Sequence, residues 1–289
     1  MSTTLRLTRA AFGAVQRAAP DLAARWAERM FCSPPRRPIS ERMAAWLRDG
    51  ERFDVIVDSP SRSRPPRPRA RRVTVWTWGE RGPGVLLVHG WGSRGARFVD
   101  LGGALRAAGH RVITFDAPGH GASHGRLSSG PEFARAAIAV AAAVGPVSAV
   151  VGHSLGGFAS ALAMHRGLSA RRAVFISPSA NVNSYSAQFA ALLGVTPPVM
   201  STMRERLARR LDFSWSSMDV PAFAPSMRVP LLVVHDRDDR EVRWSDGAAI
   251  AQAWPGAELV TTTGLGHHRI VSDAEVIASV VSFLRASLQ

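Results

Sequence analysis

The most restrictive stretch of the chain is Gly-His-Ser-Leu-Gly-Gly at residues 152–157. An apolar run (Val147, Ala149, Val150, Val151) leads into it and a small-residue segment, 158–166, leads away, which predicts a strand, a sharp turn and a helix. In a G-x-S-x-G turn the serine takes a strained backbone angle, and a Cβ at 152 or 156 would collide with neighbouring chain. The turn lifts the Ser154 hydroxyl above the strand end. The helix behind it aims the Leu155 amide at negative charge formed on any group that Ser154 attacks. A glycine-rich turn without chemistry can carry the same letters, and the chain holds 25 glycines. The surrounding pattern has to decide between the two.

From Gly84 onward, short apolar runs alternate with helical patterns, the mark of a parallel sheet covered on both faces. Strands are predicted at 85–89, 111–115, 147–151, 173–177, 230–235 and 258–262, and helices near 97–108, 131–144, 155–166, 245–253 and 274–286. Two earlier alternating runs, 53–58 and 73–78, pair most simply as an antiparallel hairpin across a Pro/Arg/Ser loop at 59–72. The expected fold is therefore α/β, with a mostly parallel central sheet of about eight strands flanked by helices. Residues 51–180 and 228–289 would form its core. The alternation breaks at 181–227, where apolar residues at helical spacing and several prolines suggest a small helical cap over the strand ends. Residues 1–50 read as a helical arm: Leu5, Phe12, Val15, Leu22, Trp26 and Met30 recur at helical intervals around a break at Pro20, and Ser40 caps a further helix that stops at Gly50.

A serine hydroxyl needs a base, and the base an orienting acid. The strand at 230–235 runs into Asp236-Arg237-Asp238-Asp239, and the strand at 258–262 into Gly264-Leu265-Gly266-His267-His268. Serine, aspartate and histidine thus follow in order, each at a strand end beside the same edge. Three placements that agree argue far more than one motif.

These features resemble the α/β-hydrolase-fold serine hydrolases over roughly residues 53–286. His89-Gly90-Trp91-Gly92 is similar to the family's oxyanion loop, and Asp116-Ala117-Pro118-Gly119-His120-Gly121-Ala122-Ser123 to its D-x-P-G-x-G-x-S loop. The resemblance implies an oxyanion hole built from the Trp91 and Leu155 amides. It implies Asp239 as the acid, by alignment of His235 with the family's His-Gly-x-x-Asp; Asp236 then stands in place of the usual glycine, and Asp238 is the alternative acid. His267 is favoured over His268 as the base. His89 and Asp116 are expected to tie down their own loops, His120 and His124 to line a turn, and His153 to pack beneath the elbow.

The expected reaction is acyl transfer from a carboxylic ester to Ser154 and then to water. Tyr185, Phe189, Phe213 and Trp215, with Trp91, are candidates for an apolar pocket that takes an uncharged acyl group of short to medium length. Thioester, amide or carbon–carbon bond hydrolysis could use the same triad, and a binding protein on a hydrolase scaffold belongs to a different class. No cofactor is called for, and no histidine spacing recurs as in a metal site.

Charge needs a separate reading. The net charge is +14, yet all 36 basic residues are arginine, which looks like biased base composition. Sixteen of them fall in residues 1–72 against seven carboxylates, so any contact with acidic surfaces would be made there. No aromatic residues interleave a basic stripe, which disfavours nucleic acid. The first 31 residues lack the apolar core of a secretory signal, and with Cys32 as the single cysteine a cytoplasmic location is expected.

Overall fold

The computed structural model describes residues 3–59 and 69–285, so most of the expected basic loop lies outside the described residues. Eight strands form one sheet in the order β1-β2-β4-β3-β5-β6-β7-β8. Strands β1 (Glu51–Ser59) and β2 (Arg69–Trp78) form the expected antiparallel hairpin, and β2 runs antiparallel to β4 (Arg111–Phe115). The remaining neighbours, β3 (Gly84–Val88), β5 (Ala149–His153), β6 (Arg172–Ile176), β7 (Leu231–Asp236) and β8 (Glu258–Thr262), are parallel. Strands β3, β5 and β7 are buried along their whole length, as continuous Val/Leu runs covered on both faces require. Strands β5 and β7 extend past their apolar runs, because His153 still pairs with Ile176 and Asp236 with Thr262.

Helices cover both faces. Phe133 of α5 (Gly130–Val144), Phe158 of α6 (Leu155–His165) and Ile250 of α10 (Trp244–Ala253) fill one core layer. Leu101 and Leu105 of α4 (Val99–Ala107) and Val276, Val280 and Leu284 of α12 (Ala274–Arg285) fill the other. Helix α3 (Glu41–Asp49) carries the expected Ser40 cap and seats itself on the sheet through Trp46, which stacks 3.8 Å from Trp78. Helix α11 (Gly266–Arg269) is a single turn after β8.

The chain moves from β3 to β4 on one side and then to β5 on the other, so the connection reverses direction between β3 and β5. The loops leaving these two strands diverge there, which opens a crevice at their carboxyl ends.

The arm and the 181–227 segment do not stand apart. Helices α1 (Thr3–Ala18) and α2 (Pro20–Phe31) lie against α7 (Val182–Leu193) and α8 (Pro197–Leu211), while α9 (Val220–Phe223) leads back to the sheet. Phe12, Ala23, Ala24, Ala27 and Cys32 share one apolar cluster with Val199, Met200, Met203, Leu207 and Leu211. At its edge the buried Glu28 carboxylate accepts hydrogen bonds from Arg206 Nε at 3.0 Å and Arg210 Nε at 2.8 Å. No helix of the described residues is long and apolar enough to cross a membrane.

Candidate active site

Ser154 sits between β5 and α6 with φ 56° and ψ −124°, the left-handed strain expected of the turn. The glycines around it have no room for a side chain. A Cβ on Gly156 would lie 2.0 Å from the Val88 carbonyl oxygen, and one on Gly152 would lie 2.5 Å from that of Gly156. The Ser154 amide donates to Ile176 O at 2.9 Å, which fixes the elbow to β6.

The loop after β3 approaches the serine so closely that a Cβ on Gly90 would meet Ser154 Cβ at 2.9 Å. Among the described residues neither the Trp91 nor the Leu155 amide has a protein acceptor. Two buried histidines brace this loop. His89 Nε2 accepts from the Ala117 amide at 2.9 Å, so its Nδ1 carries the proton and donates to Gly90 O. His120 Nε2 accepts from the Gly92 amide at 3.1 Å and its Nδ1 donates to Pro118 O. Burial pulls their pKa values down, to about 4 for His89 and about 3 for His120, so both are neutral acceptors. Asp116 takes the amides of Gly95 and Ala122, each at 2.8 Å, so it ties down its own loop and also joins it to the loop after β3.

His267, in α11, is buried and places Nδ1 2.8 Å from Asp239 Oδ2. The other Asp239 oxygen accepts from the amides of Glu241 and Val242. Burial pushes the Asp239 carboxyl up, but hydrogen bonds from His235 and His267, the charge of His267 and the Val242 amide outweigh it and hold the group well below the carboxylate range. Asp238 is exposed and accepts from the Gly264 amide, a turn contact. Asp236 is fully buried, takes Thr262 Oγ1 at 2.7 Å and Leu265 N at 3.0 Å, and has no left-handed backbone, so the position usually held by glycine in the resemblance needs none here. His153 donates from Nε2 to His267 O at 2.9 Å and lies 4.8 Å ring to ring from it; it packs beside His267 and lines the crevice. His268 pairs with Glu241 at 2.8 Å.

Ser154 and His267 open into one cavity of about 840 Å³. Trp91, Leu155, Phe158, Val182 and Tyr185 give it an apolar wall. Phe189, Phe213 and Trp215 do not line it, which corrects the expectation from sequence. Phe189 packs on Phe31, and Phe213 and Trp215 pack on each other within the cluster shared by the arm and α8. An aromatic at helical spacing marks an apolar face without saying what that face covers. Sequence reasoning missed the segment between α2 and α3, whose Pro35, Arg37 and Pro38 line the cavity together with Met43 at the start of α3. It also missed Arg94, Arg97, Arg240 and Arg243.

A strained serine at a strand end, a histidine–carboxylate pair beside it and a crevice where the sheet reverses direction define the hydrolase class of α/β folds. The chain belongs to the alpha/beta hydrolase family, whose sequence model matches residues 85–280. It is 26% identical over 244 residues to a Variovorax paradoxus protein that carries the name carbamate hydrolase RutD, covering 70% of this chain and 92% of that one. It is 36% identical over 141 residues to a pimeloyl-[acyl-carrier protein] methyl ester esterase of Vibrio atlanticus, covering 46% of this chain and 50% of the relative. Among solved structures, the Pyrococcus furiosus esterase Pf2001 superposes with a TM-score of 0.65 at 18% identity, over 88% of this chain and 98% of that one.

Proposed function

We propose that the chain is a serine hydrolase that cleaves a carboxylic ester through Ser154, His267 and Asp239. The observation that carries this reading is the 2.8 Å pair between His267 Nδ1 and Asp239. An acceptor that stays ionised holds the proton on Nδ1 and leaves the lone pair on Nε2, the atom that a general base must offer. His267 Nε2 takes the Ser154 proton as Oγ attacks the carbonyl carbon, and the Trp91 and Leu155 amides receive the oxyanion. Collapse of the tetrahedral intermediate expels the alcohol, which takes the proton from His267. Water then loses a proton to His267 and attacks the acyl-enzyme, releasing the carboxylic acid and free serine.

Residues 181–227 act as the cap over residues 51–180 and 228–289, with residues 1–50 as an arm that braces it. The apolar wall at Trp91, Leu155, Phe158, Val182 and Tyr185 supports an aliphatic acyl chain. Names of the relatives support an ester: one is an esterase of a methyl ester, another an esterase of known structure.

A fluorophosphonate probe tests the reading. Labelling that maps to Ser154, vanishes in Ser154→Ala and collapses in His267→Ala is the expected result, followed by turnover of p-nitrophenyl esters. Folded wild-type protein that neither labels nor turns over an ester would overturn it.

A further inference from the structure

We propose that the substrate carries an anionic group, a carboxylate or a phosphate, on an otherwise apolar ester, and that the arginines around the catalytic crevice hold it. This rests on the hydrolase reading and sharpens it, because a charged substrate end departs from the uncharged acyl ester expected from sequence.

Five arginines line the cavity that contains Ser154 and His267: Arg37, Arg94, Arg97, Arg240 and Arg243. They come from three segments distant in sequence, so they converge by folding and not by a local run of basic residues. Elsewhere in the molecule arginines find carboxylates, as Arg42 does with Asp100, Arg106 with Asp49 and Arg210 with Glu28. Among the described residues none of the five lies within ion-pair distance of a carboxylate. Arg94 donates to the Arg37 carbonyl and Arg97 to the His268 carbonyl, contacts that satisfy an N–H without neutralising a charge.

The lining carboxylates are Glu241 and Asp246. Glu241 lies 2.8 Å from His268 Nε2 and 3.9 Å from His267 Nε2, and Asp246 accepts from the Ala180 amide and feels the charge of Arg243. Five guanidiniums against two carboxylates leave the crevice with an excess of positive charge. Burial pulls the Arg97 guanidinium below its ordinary value, Asp100 offsets part of this, and Arg37 adds repulsion. An anion between Arg37 and Arg97 relieves that repulsion and offers the planar, forked donors of arginine the acceptors they fit. A neighbouring cavity of about 160 Å³ shares Arg37, Arg94, Gly92 and Ser93 and adds Arg36, so the cationic surface continues past the crevice on that side. The apolar wall and this patch together suit a chain with a hydrophobic middle and an acidic end.

The test compares three esters of matched length: methyl hexanoate, monomethyl adipate and methyl 5-phosphonopentanoate. At low salt the wild type is expected to favour at least one anionic ester by about tenfold or more in kcat/KM, an advantage that shrinks as salt screens it. Which of the two anions leads identifies the group. Arg37→Gln, whose guanidinium makes no hydrogen bond among the described residues, is expected to cut the charged-to-neutral ratio by about fivefold, chiefly through KM. Arg97→Gln is expected to do the same. Turnover of methyl hexanoate with no anionic preference, or a ratio that neither variant moves, overturns the inference and leaves the hydrolase reading standing. Failure of all three esters and of the fluorophosphonate probe removes the hydrolase reading instead. Calorimetry of adipate and inorganic phosphate with Ser154→Ala then decides about the arginines without any turnover: binding lost in Ser154→Ala/Arg37→Gln/Arg97→Gln supports them, and no binding of either anion overturns them.

Discussion

His267 and Asp239 meet at 2.8 Å across two loops, and the same carboxylate is clamped by two backbone amides, so the imidazole is held by a group that is itself fixed. Asp239→Asn keeps the shape and reverses the preference, because an amide can donate to Nδ1 and leave the proton on Nε2. A fall in kcat of about 10³- to 10⁴-fold is expected, with KM little changed. Asp238→Asn, which touches only the Gly264 amide, is expected to keep kcat within about threefold, since substitutions away from such a site act mainly on stability. Steady-state kinetics on p-nitrophenyl butyrate separates the two, and equal losses would reassign the acid.

Gly156 and Gly103 make a matched pair for stability. A methyl group at 156 lands 2.0 Å from the Val88 carbonyl oxygen and 2.6 Å from that of His89, and the buried end of β3 cannot move aside. Gly156→Ala is expected to cost at least about 3 kcal/mol or to prevent folding. Gly103, exposed in α4, has no atom within 4 Å of the new methyl, and Gly103→Ala should gain about 0.5–1 kcal/mol by stiffening the unfolded chain. Urea midpoints give both signs.

Acid should loosen the loop after β3 before it reaches the ordinary carboxylates. His89 and His120 have folded pKa values of about 4 and about 3, below the value near 6.5 of an unfolded chain. Between about pH 6.5 and pH 4 the unfolded state binds these protons and the folded state does not, so stability falls as pH falls, by about 1.4 kcal/mol per unit for each histidine. Urea unfolding at pH 7, 6 and 5 should show a steepening loss, and His120→Gln should flatten it by about one proton's share. A midpoint unchanged from pH 7 to 5 would contradict the assignment.

Glu28 joins the arm to α8 through a carboxylate only 2% exposed. Glu28→Ala leaves Arg210 buried without that partner, which costs about 3 kcal/mol or more locally. Limited proteolysis should then nick the chain within its first 43 residues faster than wild type. Because Pro35 and Met43 line the crevice, KM should rise with it.

The sheet, the elbow and the serine–aspartate–histidine order were legible because each rests on local signals: apolar runs, glycines with no space for a side chain, and acids and histidines at strand ends. The union of the arm with α8 was not. Two amphipathic faces about 180 residues apart in sequence give no sign of each other, and the aromatics expected to line the pocket (Phe189, Phe213, Trp215) pack instead against the cluster that the arm shares with α8. The crevice arginines were hidden for another reason. In a chain whose basic residues are all arginine, no single one stands out until folding gathers five around Ser154.

The partnership of α2 with α8 also sets an order in time. On the ribosome α1 and α2 emerge long before α8, and the apolar face made by Phe12, Ala23 and Ala27 finds its cover only after residue 211 has been synthesised. At about 5–20 residues per second, that face waits for some ten seconds or more of translation. The sheet can assemble as far as β6 in that interval, but the wall of the crevice contributed by residues 35–43 cannot settle until α8 arrives. Maturation of the crevice is therefore a late event in the life of the nascent chain, and holdase chaperones should meet this protein through α1 and α2.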